Sequence, residues 1–311
     1  LKVFNAISEF YSDKKTIVTL GTFDGVHLGH QSILKKLTRQ SHETGAESLV
    51  LTFFPHPRMV LDTSASIQLL NTIHEKTVLL EHFGVDHLVI HPFSKEFAAL
   101  SAEEFVKKIL VDQFNIQKII IGYDHRFGKN RSADINDLIK FGRKYGFEVE
   151  QILAKEIDHI SVSSTKIRKA LEEGNIALAN EYLGYAYCLE GTVVEGKKIG
   201  RTIGFPTANI VLEEDYKLVP HNGVYIVSSI INGETVKGMM NIGTNPTIGT
   251  NPRTIEVNFL NFEGNLYGKK LKISILDKIR DEMKFSSLEE LKENIEKDRL
   301  KTIHYFEKLR S

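Results

Sequence analysis

The sequence predicts an α/β protein in two parts: a parallel sheet covered by helices, then an antiparallel β-barrel closed by a long helix. Two observations carry this. Through the first half, short apolar runs rich in Val and Ile alternate with stretches of helical spacing, a rhythm that gives parallel sheets with both faces covered. After about residue 185 the helical stretches stop, and turn-rich connections separate runs of alternating apolar and polar residues, the pattern of an antiparallel barrel. A chain of 311 residues accommodates two domains, and the change of rhythm sets them at 1–184 and 185–311.

In the first part, T-I-V-T-L (16–20), S-L-V-L-T-F (48–53), H-L-V-I-H (87–91) and K-I-I-I-G (118–122) read as buried strands. Helical spacing covers 29–43, 73–83, 102–114 and 132–145. Ser101 followed by Glu104 is a capping-box signature for the third of these. In the second part, G-V-Y-I-V-S-S-I and T-V-K-G-M-M-N-I flank Asn232-Gly233, a strong hairpin signal. T-I-E-V-N-F-L and K-L-K-I-S-I-L-D supply further strands. The final helix starts at Ser287, with Glu290 three residues on.

Composition excludes several classes of function. Hydrophobic residues make up 41% and charged residues 26%, and Lys+Arg equals Asp+Glu at 40 each. The balanced charge, with no basic run interleaved with aromatics, argues against nucleic-acid binding. No apolar stretch approaches the roughly 20 residues that span a bilayer. One cysteine, Cys188, excludes an internal disulfide framework and fits a reducing, cytoplasmic setting. The oligomeric state is left open, a homo-oligomer included.

Polar clusters stand where strands are expected to end and helices to begin. G-T-F-D-G-V-H-L-G-H (21–30) gives the backbone freedom at Gly21 and Gly25 and opens a helix near Gly29. Free N–H groups at a helix start favour phosphate, and His27 and His30 add donors able to stabilise charge in a transition state. The plain alternative is a glycine-rich turn with two surface histidines. F-F-P-H-P-R-M-V-L (53–61) presents His56 in a stiffened loop between Pro55 and Pro57, beside Arg58. G-Y-D-H-R-F-G (122–128) presents Asp124, Phe127 and Gly128, and S-V-S-S-T-K-I-R (161–168) places hydroxyls and cations around another helix start. Neither a P-loop nor a dinucleotide-fold spacing is present.

In the second part, G-K-K-I-G-R-T-I-G-F-P-T-A-N-I (196–210) spaces Gly196, Gly200 and Gly204 four apart without a following G-K-[ST]. Thr207 and Asn209 alternate on one strand face, where a hydroxyl and an amide oxygen suit Mg²⁺ with ATP phosphates completing the shell. Glu256 is the remaining candidate. A lone strand Glu ordinarily faces water.

Both halves carry a family resemblance. G-T-F-D-G-V-H-L-G-H resembles the H-x-G-H signature of the nucleotidyltransferase superfamily. With the P-H-P loop, the F-G loop and S-S-T-K-I-R, it is similar to the adenylyltransferase module of bacterial bifunctional riboflavin kinase/FAD synthetases, a Rossmann-like nucleotidyltransferase domain. G-R-T-I-G-F-P-T-A-N, followed in order by N-G-V-Y, N-I-G-T-N-P-T-I-G, I-E-V-N-F-L and L-Y-G, resembles the riboflavin kinase signature. The resemblance implies an ATP- and Mg²⁺-dependent enzyme that converts riboflavin to FMN and FMN to FAD. It implies that His27 and His30 are catalytic and bind ATP phosphates, with Gly21, Thr22, Phe23, Asp24, Gly25, Gly29, Ser163, Ser164, Thr165 and Arg168 on the nucleotide side. His56, Pro57, Arg58, Asp124, Phe127 and Gly128 would lie on the flavin side. In the second half it implies ATP binding by Gly196, Gly200, Arg201, Gly204, Phe205 and Pro206, metal binding by Thr207 and Asn209, Glu256 as the kinase base, and a flavin contact from Arg280. The chain departs from the family where His125 replaces a frequent Phe and Asn261 a common Asp. The competing readings are an adenylyltransferase with an inert or regulatory second domain, and a flavin- or nucleotide-binding regulator without turnover.

Overall fold

The computed structural model describes residues 1–62, 67–122, 126–152, 162–196, 200, 203–244 and 253–309. It divides into two compact units, Leu1–Ser164 and Thr165–Ser311.

The first unit is a six-stranded sheet in the order β1-β4-β3-β2-β5-β6, parallel throughout. Its strands are β1 (Lys2–Phe4), β2 (Thr16–Leu20), β3 (Glu47–Phe53), β4 (His87–His91), β5 (Ile116–Gly122) and β6 (Glu148–Ile152). Alternation along each strand sends side chains to opposite faces, and two separate cores result. Val18, Leu20, Leu49, Leu51, Ile119 and Ile121 meet Phe105, Ile109, Leu110 and Leu138 on one face. Ile17, Val50, Leu88 and Ile120 meet Ile33, Leu34, Leu37 and Leu80 on the other. The second face is covered by α1 (Leu28–Thr44) and α3 (Ile73–His82). The first is covered by a π-helical turn (Phe105–Val111) that continues α5 (Ala102–Glu104), and by α6 (Ile135–Tyr145). Between them lie the short α2 (Pro57–Leu61) and α4 (Lys95–Ala98).

The Ser101–Glu104 capping box forms as expected, and α3 and α6 open on further boxes at Thr72/Glu75 and Asp134/Asp137. Asp134 takes the N-cap of the helix anticipated from 132, because its carboxylate accepts from the Asn136 and Asp137 N–H groups. The edge strand β6 was not anticipated: Glu148 and Glu150 pair with Lys118, and Glu150 with Lys36, so the strand carries too few apolar residues to advertise itself.

In the second unit, which takes all of α7 (Ser164–Glu172) but its first residue, α7 and α8 (Ile176–Leu183) precede a closed antiparallel barrel in the order β10-β11-β8-β7-β12-β9. The strands are β7 (Cys188–Val194), β8 (Ala208–Leu212), β9 (Gly223–Ile231), β10 (Glu234–Thr244), β11 (Arg253–Phe259) and β12 (Lys270–Asp281). Asn180 on α8 donates to the Ile275 carbonyl at 2.9 Å and accepts from the Tyr187 N–H at 2.7 Å. The closing helix α9 (Leu288–Lys308) buries Asp298, Thr302 and Phe306.

The Asn232-Gly233 hairpin joins β9 to β10 through a two-residue loop with φ of 54° and 86°. Both values are left-handed, as a type I′ turn requires. A Cβ on Gly233 would meet nothing within 4 Å, so Gly233→Ala tests the backbone alone. Chemical denaturation should show a loss of about 1–2 kcal/mol, the cost of a left-handed non-glycine residue. An unchanged midpoint would reject this turn geometry.

Candidate active sites

In an open α/β sheet, ligands bind beyond the carboxyl ends of the strands where the strand order reverses. Here the reversal lies between β2 and β5. β2 runs into G-T-F-D-G and β5 ends at Gly122, so topology brings the G-T-F-D-G turn and the end of β5 to one crevice.

The turn from β2 into α1 is unusual in its backbone. Phe23 (φ 46°), Gly25 (φ 87°) and Val26 (φ 36°) all have positive φ, although Phe and a β-branched Val disfavour it. Tertiary hydrogen bonds hold this path. The Thr22 carbonyl accepts from the Thr52 hydroxyl at 3.2 Å and from Lys76 Nζ at 2.7 Å. Asp24 Oδ1 accepts from Leu70 N at 2.9 Å and Asn71 N at 3.4 Å. The Asp24 carbonyl accepts from the Ser164 hydroxyl at 2.8 Å. Gln31 Nε2 donates to the Val26 carbonyl at 2.9 Å.

His27 is the N-cap residue of α1 and its side chain makes no cap hydrogen bond to the first turn. The His27 and His30 rings stack at 3.7 Å with 19° between their planes, and Phe23 lies 5.0 Å from His30. These are not surface histidines: His27 is buried and His30 half-buried, with its Nδ1 buried and unpartnered. Burial first, then the neighbouring His27 and Lys76, pushes the His30 imidazole well below its ordinary 6.5.

The other residues of this half are placed unevenly. His56 caps α2, its Nδ1 accepting from Arg58 N at 3.1 Å, with Pro57 in the first turn. Phe127 is buried against Phe105 and exchanges backbone hydrogen bonds with Ala133. It therefore anchors its loop to the core. Gly128 has φ 73°, and a Cβ there would stand 3.0 Å from the Ala102 backbone. Asp124, like the departure at His125, lies outside the described residues. Ser163 and Ser164 belong to the first unit, whereas Thr165 and the buried Arg168 count with the second.

In the barrel, Asn209 on β8 and Glu256 on β11 are directly paired in register, which puts both side chains on one face. The Thr207 hydroxyl donates to Glu256 Oε2 at 3.3 Å. Asn258 Nδ2 donates to the Pro206 carbonyl at 2.7 Å and fixes the approach to this cluster. The glycines have distinct tasks. A Cβ on Gly196 would fall 2.2 Å from the Asn209 amide nitrogen, and one on Gly200 2.2 Å from the Phe205 carbonyl. Gly204 takes φ 87°, and the Phe205 N–H returns to the Gly200 carbonyl at 2.7 Å. Arg201 lies outside the described residues. Half-buried Glu256 is thus engaged by Thr207, where a solvated strand Glu would face water.

Beside this cluster lies an apolar cavity of about 430 Å³, lined by Val193, Ala208, Val257, Phe259, Phe262 and Tyr267, with Thr207 at its edge. Sequence reading missed it, because its walls come from β7, β8, β11 and the connection after β11. Asn261 in that connection has φ 54°, a conformation Asn tolerates better than most residues. Arg280 is committed elsewhere in the unit: its Nε and Nη2 contact the buried Asp298 carboxylate at 3.0 and 2.8 Å, tying β12 to α9. Among the described residues no group of three or more His, Cys, Asp or Glu is arranged to hold a metal, and no helix is long and apolar enough to cross a membrane.

Comparison with known proteins identifies both halves of the chain. A family model for FAD synthetase matches residues 10–166 and one for riboflavin kinase matches residues 183–306. The bifunctional riboflavin kinase/FMN adenylyltransferase of Listeria monocytogenes is 39% identical over 96% of this chain and 95% of its own length. The enzymes of the same description from Bacillus subtilis and Escherichia coli K12 are 38% and 36% identical, covering 95% and 93% of this chain and 94% and 92% of their own. A crystal structure from Streptococcus pneumoniae described as a macrolide-efflux protein superposes with a TM-score of 0.88 at 31% identity, covering 97% of this chain and 98% of that one.

The half-buried His30 sets a pH dependence. Its folded pKa lies below the unfolded value of 6.5, so the unfolded chain binds the extra proton between the two values. Stability is then complete above about 6.5 and declines as pH falls below it. Denaturation of the ligand-free protein at a series of pH values should show this decline, and His30→Gln should flatten it. A decline of the same size in the variant would assign it to other groups.

Proposed function

Because the chain belongs to the bifunctional riboflavin kinase/FMN adenylyltransferase family, we propose that its two clusters divide the two reactions between them. The enzyme phosphorylates riboflavin to FMN in the barrel and joins FMN to the AMP part of ATP, releasing pyrophosphate, at the sheet. Residues 1–184 are assigned to the adenylyltransferase and 185–311 to the kinase. The observation that carries the reading is the convergence of Thr207, Asn209 and Glu256 in one half and of the stacked histidines at the β2–α1 turn in the other.

In the barrel, Glu256 takes the proton from the riboflavin 5′-hydroxyl as that oxygen attacks the γ-phosphorus. Thr207 orients the carboxylate, and the Asn258–Pro206 hydrogen bond keeps Thr207 in range. The apolar cavity beside Thr207 suits a nucleotide base, since such pockets are predominantly apolar with few polar groups. Thr207 and Asn209 supply a hydroxyl and an amide oxygen, and Gly196 packs its backbone against the Asn209 side chain with no room for a Cβ. That donor set fits Mg²⁺, which takes few protein oxygens and completes its shell with phosphates and water. Bound there, the ion would neutralise the phosphate charge that develops on transfer.

At the sheet, an FMN phosphate oxygen attacks the α-phosphorus of ATP in line with the departing pyrophosphate, with no protein nucleophile required. The α1 amides and the two imidazoles line the phosphates' approach, and alignment with charge neutralisation does the rest. Phosphate oxygens beside His30 favour its protonated form, so burial and ligand act on it in opposite directions. His56 and Arg58 stand on the flavin side, and Ser163, Ser164, Thr165 and Arg168 at the phosphate end of the nucleotide. Arg280, held against Asp298 and over the Phe285 ring at 5.6 Å, stands on the flavin side of the barrel. ATP, riboflavin and FMN are the small-molecule partners; we place the enzyme in the cytoplasm.

Incubation with riboflavin, ATP and Mg²⁺, followed by chromatographic separation of flavins, should yield FMN and FAD. His30→Ala should suppress FAD formation by about 10²–10³ and spare FMN formation. Equal loss of both, with the fold intact by circular dichroism, would sink the two-site division. Glu256→Gln should lower kcat for riboflavin phosphorylation by about 10²–10⁴, weaken riboflavin binding much less, and leave FAD formation from supplied FMN in place. Turnover at the parent rate would reject Glu256 as the base.

A further inference from the structure

The β2–α1 turn rests on a cation that stands outside every motif. Lys76, on α3, is buried, and its Nζ donates to the Thr22 carbonyl at 2.7 Å. An ammonium has three donors. Among the described residues Lys76 makes this one hydrogen bond and no ion pair within 4 Å. A buried charge left so lightly paired is costly unless something anionic reaches it. The charged and titratable groups around it are Asp24 on the turn, His30 with the stacked His27 on α1, and Glu75 on α3 itself. Asp24 Oδ1 accepts from Leu70 N and Asn71 N, and Glu75 Oε2 accepts from Thr72 N at 3.0 Å. Among the described residues neither carboxylate makes an ion pair with the ammonium, although Asp24 is near enough to favour its charged form.

We propose that Lys76 is a positioning residue for adenylyl transfer: its buried ammonium fixes the Thr22 carbonyl, and with it the turn that carries His27 and His30, and supplies the positive charge against which the ATP phosphates settle. The inference rests on the assignment of this crevice to FMN adenylylation. It explains why Phe23 and Val26 hold positive φ, because the carbonyl one residue before Phe23 is clamped by two donors, Thr52 and Lys76. It also accounts for a cation among groups that hold His30 neutral in the ligand-free site. Burial pulls the ammonium down to about 8, with Asp24 opposing. Its charge is therefore present below that pH and lost as pH rises through it.

The test uses the full chain supplied with FMN, ATP and Mg²⁺, and follows kcat/KM for ATP in FAD formation against pH. The parent enzyme should lose kcat/KM along one limb near pH 8. Lys76→Met should lower the plateau by about 10²-fold and abolish the limb, while riboflavin phosphorylation by the same preparation stays at the parent rate. Lys76→Arg, which keeps its charge to high pH, should restore most of the plateau and move the limb out of range. A Lys76→Met enzyme that keeps the limb, or loses only thermal stability, overturns the proposal. Should the variants fold poorly, the ¹³Cε signal of Lys76 in the parent protein decides: it should titrate near pH 8 and shift to higher pH when ATP is added, and a titration unmoved by ATP also overturns it. A parent enzyme that makes no FAD would instead sink the assignment of the crevice, and the ATP-induced shift would still decide the role of the lysine.

Discussion

Much of the first unit depends on how the chain leaves β2. A strand buried on both faces must deliver its last residue into a helix with no solvent-exposed loop to absorb the change of direction. Three residues of the turn take positive φ, two of them poorly suited to it. The Thr22 carbonyl, held by one donor from β3 and one from α3, makes that path the lowest in energy, and the Ser164 hydroxyl on the Asp24 carbonyl extends the same clamp. Once the turn is set, the amides of α1, the stacked imidazoles and the mouth of the crevice between β2 and β5 follow from it. Strain at a functional turn is stabilised by the surrounding structure, and here the stabilising donors can be named.

The barrel solves a different problem. It has no helix start at its cluster and relies on register: Asn209 opposite Glu256 is a consequence of pairing β8 with β11. Its Gly196 and Gly200 provide close approach of backbone to Asn209 and Phe205, while Gly204, like Gly25 in the sheet, provides a left-handed conformation. Both arrangements gather polar groups at one place without a cysteine or an activated serine among them.

Sequence reading reached as far as local patterns extend. Glycine spacing flagged the β2–α1 turn, and period-two alternation put Thr207 and Asn209 on one face before any partner was known. The strand runs at 16–20, 48–53, 87–91 and 118–122 are central to the sheet and apolar, which is why they were legible, whereas the charged edge strand β6 was not. Lys76 escaped because H-E-K-T-V-L-L reads as a helix with its cation in water, and only the packing of α3 under the turn buries it. Glu256 could be assigned only through resemblance: its meeting with Thr207 spans 49 residues of chain. Arg280 shows the opposite limit, since its tie to Asp298 on α9 is invisible until the helix is docked.

The helices between the two matched segments carry a lesson about modularity. Signature motifs place the start of the second module after α8, yet α8 packs as part of the barrel's wall. Asn180 uses its amide at once on the Ile275 carbonyl of β12 and on the Tyr187 N–H, while Ile176, Ala179 and Leu183 are buried. The riboflavin kinase match begins at residue 183, whereas the compact unit that holds the barrel begins at Thr165. Gene fusion, domain exchange or proteolysis at Tyr185 would strand two buried backbone groups and open an apolar face. A cut near residue 164 would keep both of these contacts with the barrel but part Thr165 and Arg168 from the rest of the 1–184 segment.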